Sequence, residues 1–330
     1  MMLAVAIVAS VAGCAGPGKV MVVSRPVVDV RRQPQTQAAA ATHDLLEDTQ
    51  LLFGERVRVL DTREGWARIE AMEQLEYTSA GKWQGYPGWI PVEALVPSKG
   101  VWDPTIVVTA KWSPVWRDPS KRHLSGLLLP MGAMVRATDM GGERWRLELP
   151  DRSSAWIDAG QARTLDELAR LPVARKRALI VQAAEQLLRD PYFWGGRSPH
   201  VAPALGPVWP GPPQADAVPV TGVDCSGLVN LAYRTVGLAI PRDAHEQHLK
   251  ARPITAPQPA DLIFLSEARN PARIVHVMLY AGHGEVIEGP GTGHAVRRIA
   301  LAQRLGDSLE RLPPGRVVND QTISYGAYLE

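Results

Sequence analysis

Gly222-Val223-Asp224-Cys225-Ser226-Gly227-Leu228-Val229 is the stretch on which the fold turns. After it, Leu228, Leu231, Ala232 and Val236 continue at helical spacing as far as Gly237, a residue suited to the position just past a helix end. The spacing therefore predicts an apolar, buried helix with Cys225 in its first turn. That placement suits a nucleophile. The thiolate is the reactive form, and the positive end of a helix and a nearby imidazolium both favour it. Backbone N–H groups left unpaired at a helix start can also bind a developing oxyanion. Taken alone, the same cysteine reads equally well as a small, inert core residue.

Downstream, Leu262-Ile263-Phe264-Leu265 and Ile274-Val275-His276-Val277-Met278-Leu279-Tyr280 read as two strands of a core sheet. On the second, alternation puts His276 on one face with Ile274, Met278 and Tyr280. It is then either a satisfied core histidine or a base held in a fixed rotamer against Cys225. Glu288 lies in Glu285-Val286-Ile287-Glu288-Gly289-Pro290, and a neighbouring strand would bring it beside His276. There it would orient the imidazole; the alternative is an exposed strand-end carboxylate. His245 and His248 share a helical spacing, but without a third ligand they read as a surface pair, and no metal or cofactor is expected.

Upstream, Thr164-Leu165-Asp166-Glu167 reads as a capped helix start, and residues 173–188 carry apolar positions at helical spacing. Residues 198–221, rich in Pro, Gly and Ala, read as an irregular loop. Residues 51–160 change character to short alternating runs between turn residues. Gly54-Glu55-Arg56-Val57-Arg58-Val59, Trp66-Ala67-Arg68-Ile69 and Gly88-Trp89-Ile90 are echoed by Gly132-Ala133-Met134-Val135-Arg136-Ala137, Trp145-Arg146-Leu147 and Ala155-Trp156-Ile157. A twice-repeated β unit follows. Eight of the ten Trp lie between Trp66 and Trp156, for core packing in thin barrels or, as the alternative, for carbohydrate.

The chain as a whole, 330 residues with a net charge of +2, is long enough for two or three domains and lacks the concentrated basic surface of a nucleic-acid binder. Met1 to Ala12 is apolar but too short to span a bilayer, and suits the hydrophobic part of a secretion signal. It runs into Val11-Ala12-Gly13-Cys14, which resembles the lipobox of bacterial lipoproteins, with no Lys or Arg ahead of it. The resemblance implies lipidation of Cys14 and attachment to a membrane through that lipid only; an uncleaved N-terminus is the alternative. With Cys14 so used, Cys225 is left as an unpaired thiol.

Tyr192-Phe193-Trp194-Gly195-Gly196, Asp224-Cys225-Ser226-Gly227, Pro259-Ala260-Asp261-Leu262-Ile263-Phe264 and His276-Val277-Met278-Leu279-Tyr280 together resemble the NlpC-type cysteine peptidases. The resemblance implies an α+β protein: a papain-like catalytic domain at 164–330, preceded by two small SH3-like barrels at 19–97 and 98–163, after a signal segment at 1–18. It implies Cys225, His276 and Glu288 as catalytic residues, Glu288 standing where the family usually has His. The whole arrangement resembles endopeptidases that cut γ-D-glutamyl-L-diamino acid bonds in muropeptides with a free N-terminal L-Ala. That implies Glu55, Tyr86 and Asp224 around the L-Ala ammonium, with Trp194, Ser226 and Asp243 also near the substrate. Two rival readings remain: a lapsed site in a wall-binding lipoprotein, and a related thiol acyltransferase or amidase.

Overall fold

The computed structural model describes residues 16–35, 43–98, 102–120, 123–201 and 221–330. Cys14, the apolar N-terminal run and most of the Pro-rich loop lie outside the described residues.

Seven strands make the first sheet: β1 (Val20–Val23), β2 (Val27–Arg31), β3 (Glu47–Leu52), β4 (Arg56–Arg63), β5 (Trp66–Glu76), β6 (Gln84–Pro91) and β7 (Leu95–Pro97). The alternation read from the sequence is what folds them. In β4, Val57 and Val59 are buried while Arg58 faces solvent, as period-two strands require. The second sheet comprises β8 (Ile106–Val108), β9 (Trp112–Trp116), β10 (Leu124–Pro130), β11 (Met134–Asp139), β12 (Arg144–Glu148), β13 (Ser154–Asp158) and β14 (Ala162–Thr164). The spatial orders are β3-β2-β6-β5-β4-β1-β7 and β10-β9-β13-β12-β11-β8-β14. Strand for strand these are one topology, so the sequence repeat is a structural repeat.

The tryptophans do not fill these sheets. Aliphatic side chains such as Val57, Ile69, Ile90, Val135, Leu147 and Ile157 make the two cores, and of the eight Trp between 66 and 156 only Trp89 is buried. Trp102 instead joins the repeats, donating to the Gly54 carbonyl at 2.8 Å. Gly54 adopts φ +86°, and a Cβ there would lie 2.1 Å from the Met134 carbonyl oxygen, so the two sheets meet at a point only glycine admits.

The remaining residues form helices α1 (Leu165–Arg170), α2 (Val173–Glu185), α3 (Cys225–Arg234), α4 (Ala244–Lys250) and α5 (Leu301–Leu305) with a third sheet. That sheet comprises β15 (Arg252–Pro253), β16 (Leu262–Glu267), β17 (Asn270–Gly282), β18 (Glu285–Glu288), β19 (Arg297–Ala300), β20 (Val317–Val318) and β21 (Gln321–Ala327), in the order β15-β21-β16-β17-β18-β19 with β20 on β21. Every residue of α3 is buried. Its Leu228, Leu231 and Ala232 pack with Ile180 of α2 and with Leu262, Val277 and Leu279 of the sheet. At about 1.5–3 kcal/mol for each fully buried large aliphatic, this packing fixes where α3 begins. Val27, Leu52 and Val107 of the first two sheets, with Met131 just after β10, belong to the same apolar cluster. No helix among the described residues is long and apolar enough to cross a membrane.

Candidate active site

Asp224 closes the N-terminus of α3. Its extended backbone ends the preceding segment, and its Oδ1 accepts from the Gly227 N–H at 2.6 Å, an N-cap bond. Its Oδ2 accepts from the Gly195 N–H at 3.1 Å, tying the helix start to the Tyr192–Gly196 turn. The two segments touch backbone to backbone: a Cβ on Gly227 would lie 2.1 Å from the Gly196 carbonyl oxygen. Cys225 is thereby fixed as the first helical residue, 8% exposed, and is a free thiol.

His276 comes to Cys225 from β17. A register shift beside Val275 places Ile274 opposite Ser266 and His276 opposite Leu265. Ile274 consequently packs in the α3 cluster, while Met278 and Tyr280 pack on the opposite face of the sheet. The single face expected for His276, Ile274, Met278 and Tyr280 is thus broken at a bulge. Strand β18 stops at Glu288, and Gly289 runs close to Tyr192 and the Asp224 backbone. The sheet is therefore open alongside His276, and the start of α3 fills that opening.

His276 Nε2 lies 2.8 Å from Glu288 Oε2, which leaves Nδ1 as the nitrogen for the thiol. Glu288 is completely buried, not an exposed strand end. Burial pulls the imidazole pKa down, but hydrogen bonds to Cys225 and Glu288 and their charges outweigh it and hold the ring at about 9. Burial would raise the Glu288 pKa, yet His276, Arg304 and Arg297 bring it to about 2. The ring therefore keeps a proton, and the carboxylate its charge, through neutral pH.

A polar wall beside the start of α3 joins Thr49 and Tyr86 of the first sheet to Arg242, Asp224, Ser226 and Asp243. Arg242, fully buried, donates to both oxygens of Asp224 at 3.1 and 2.8 Å, to Ser226 Oγ at 2.9 Å and to Thr49 Oγ1 at 2.7 Å. Ser226 also donates to Asp224 Oδ1 at 3.1 Å. The Tyr86 hydroxyl donates to Asp243 Oδ2 at 3.0 Å. The Asp243 side chain is 41% exposed while crowded by protein, as in a cleft wall; burial outweighs Arg242 and pushes its pKa up to about 7. Trp194 is 46% exposed, its ring 5.6 Å from that of His43.

Glu55 is not in this wall. Its carboxylate is buried between Arg197, at 2.8 and 3.2 Å, and Arg234, at 3.3 Å, and it also accepts from Gln74 and the Leu52 N–H. With every lone-pair direction taken and no solvent contact, it cannot receive an ammonium. The expectation for Glu55 is corrected: it locks the first sheet to the catalytic unit. The residue that sequence reading missed is Glu47 on β3. It is buried, packs against Gly195, and no donor reaches either carboxyl oxygen. Burial, with Asp29 and Asp44 nearby, raises its pKa well above the carboxylate range. The one available sequence signal was the pair of charged residues, Glu47 and Asp48, that opens the strand Glu47–Leu52.

His245 accepts from the Ile274 N–H at 3.3 Å and the His248 ring packs on Phe264. Among the described residues no group of three His, Cys, Asp or Glu is placed to hold a metal ion.

The chain is similar to several known proteins. Residues 189–307 match the model of the NlpC/P60 family, and residues 30–74 that of the bacterial dipeptidyl-peptidase SH3 domain. The chain is 25% identical over 260 residues to the γ-D-glutamyl-L-lysine dipeptidyl-peptidase of Bacillus cereus, covering 77% of this chain and 70% of that one. It is 34% identical over 133 residues to the peptidoglycan endopeptidase RipB of Mycobacterium tuberculosis, covering 39% of this chain and 50% of that one. The fold is similar to the crystal structure of an NlpC/P60 family protein from Bacillus cereus, with a TM-score of 0.71 at 20% identity, over 94% of this chain and all of that one.

Proposed function

Taking the chain as a peptidoglycan-directed cysteine peptidase built on an NlpC/P60 domain, we propose that it cuts the γ-D-glutamyl-L-diamino acid bond, to diaminopimelate or Lys, of muropeptides with a free N-terminal L-Ala. One observation carries the substrate reading: Glu47 is a buried carboxyl with no donor partner, beside the Gly195 turn that also holds Asp224. A buried acceptor of this kind is costly unless a ligand donor completes it. An α-ammonium does so, giving charge-assisted hydrogen bonds with the Tyr86 phenol and the Asp224 edge nearby. An N-blocked peptide offers no such donor.

In this mechanism the Cys225 proton resides on His276. The thiolate attacks the γ-carbonyl carbon, and the oxyanion meets backbone N–H groups at the start of α3. The C–N bond breaks, the imidazolium gives its proton to the leaving amine, and a thioester remains. Water, deprotonated by His276, then releases the acid and restores the thiol pair. Glu288 keeps the ring oriented throughout. The same reading includes two SH3-like barrels, at 19–97 and 98–163, ahead of a catalytic domain at 164–330, and export with lipid on Cys14.

The deciding experiment offers purified full-length protein L-Ala-γ-D-Glu-diaminopimelate, free and N-acetylated, and identifies products by mass. Free diaminopimelate is expected from the unblocked peptide only. Equal cleavage of both peptides would remove the ammonium pocket from the account. Loss of acyl transfer to water, with an intact thiol, would point to an acyltransferase.

A further inference from the structure

Glu288 is held by three cations on three different elements. Its Oε2 accepts from His276 on β17, and its Oε1 accepts from Arg297 on β19 through Nη2 at 2.7 Å and Nε at 3.0 Å. Arg304 on α5 reaches both oxygens through Nε, at 2.9 and 3.0 Å. Cys225, beyond His276, completes the charged and titratable groups facing this carboxylate. The neighbouring Arg298 turns away to Glu285 and Glu185.

This arrangement answers a chemical difficulty. A buried carboxylate alone against an imidazolium holds the ring's proton strongly, because an opposite charge a few ångströms away shifts a pKa by about 1–3 units. His276 must nevertheless release that proton to a leaving amine in every turnover. Guanidinium groups on the far side of Glu288 weaken its hold on the ring and also fix which oxygen faces Nε2.

We propose that Arg297 and Arg304 are positioning residues that allow a carboxylate to serve beside His276, by orienting Glu288 and by sharing its charge so that the imidazolium can pass its proton on. Arg304 carries the larger part, since its side chain is 23% exposed against 42% for Arg297 and is less screened by solvent. The inference rests on the Cys225–His276 pairing and not on which peptide is cut.

Its test reads the ring directly. In the full-length protein, the His276 titration is followed by NMR, and the pH profile of Cys225 alkylation by iodoacetamide is measured alongside. For Arg304→Gln the imidazolium midpoint should move up by roughly one pH unit, because one fewer cation competes for Glu288. Peptide acylation should slow by about tenfold for each unit that the ring's proton is held more tightly. Arg297→Gln should shift the midpoint less, and Arg304→Lys should restore most of the wild-type value. A midpoint that stays at its wild-type position while only thermal stability falls would reduce the arginines to structural props and overturn the proposal. If Arg304→Gln does not fold, Arg297→Gln carries the comparison with a smaller upward shift, and an unmoved midpoint there overturns the proposal. Glu288→Gln should lower the midpoint; no change there would sink the orienting role of Glu288 and the proposal with it. Shifts as expected without any cleavage of muropeptides would leave this inference standing and remove the substrate assignment.

Discussion

Asp29 and Glu47 bring two carboxyls into one crowded corner of the first sheet, and this pairing has separate consequences for stability and for binding. Burial outweighs the Gln50 hydrogen bond and Arg31 and lifts Asp29 from 3.8 to about 6. A raised acid binds more protons folded than unfolded across that window, so its contribution to stability is most favourable below about pH 4 and is lost as pH rises through 6. Asp29→Asn should therefore stabilise the protein at pH 7, by about 1–2 kcal/mol after allowing for partial exposure, and by nothing at pH 4; urea titrations at both values check this. Glu47→Gln should raise KM for the free tripeptide by about 10–100-fold, the value of one charge-assisted hydrogen bond, with kcat little changed. At this scale the sequence was informative about reactive groups and misleading about one acceptor. Cys225, His276 and Glu288 could be found because helix and strand periodicity fixes their neighbours. Glu47 opens β3 and Glu55 lies in the turn between β3 and β4, and only the docking of that sheet on the third decides which carboxylate meets arginine and which meets the cleft.

At the level of elements, the decisive contact is between the Tyr192–Gly196 turn and the first turn of α3. Gly227→Ala would place a methyl 2.1 Å from the Gly196 carbonyl, a clash that backbone movement alone can relieve. The start of α3 would shift against β17, and since misplacement of about 1 Å can cost 100-fold, kcat should fall at least that far while the far-ultraviolet spectrum is retained. Full activity in that variant would mean that the observed approach is unimportant. Helix α3, strands β16 and β17 and the repeat of the first two sheets were all legible in periodicity and spacing. The bulge at Val275 was not, because it depends on pairing with β16 rather than on the local pattern. The tryptophans pack less deeply than expected for a related reason: the small cores here close with aliphatic residues, and Trp102, Trp112 and Trp145 pack half-buried at their margins.

Across the whole molecule, the three sheets share apolar packing and buried ion pairs. Arg234 of α3 donates to the Gly132 carbonyl of the second repeat at 2.7 Å and to Glu73 of the first at 2.8 Å, while Arg197 spans to Glu55. Removing Arg197 leaves the buried Glu55 carboxylate with Arg234 as its one remaining cation, so Arg197→Met should cost about 3 kcal/mol in urea unfolding. This coupling also makes the first sheet more than an attachment. Through Arg242, the wall bearing Tyr86 and Glu47 is joined to the same helix that carries the sulfur. On the proposed reading, anchor and blade then sit on one rigid ruler. The bond that breaks is counted from the peptide's amino end, so residues added beyond the diamino acid leave the cut where it is. One residue added before L-Ala does not slide the cut along; it leaves a peptide that no longer fits.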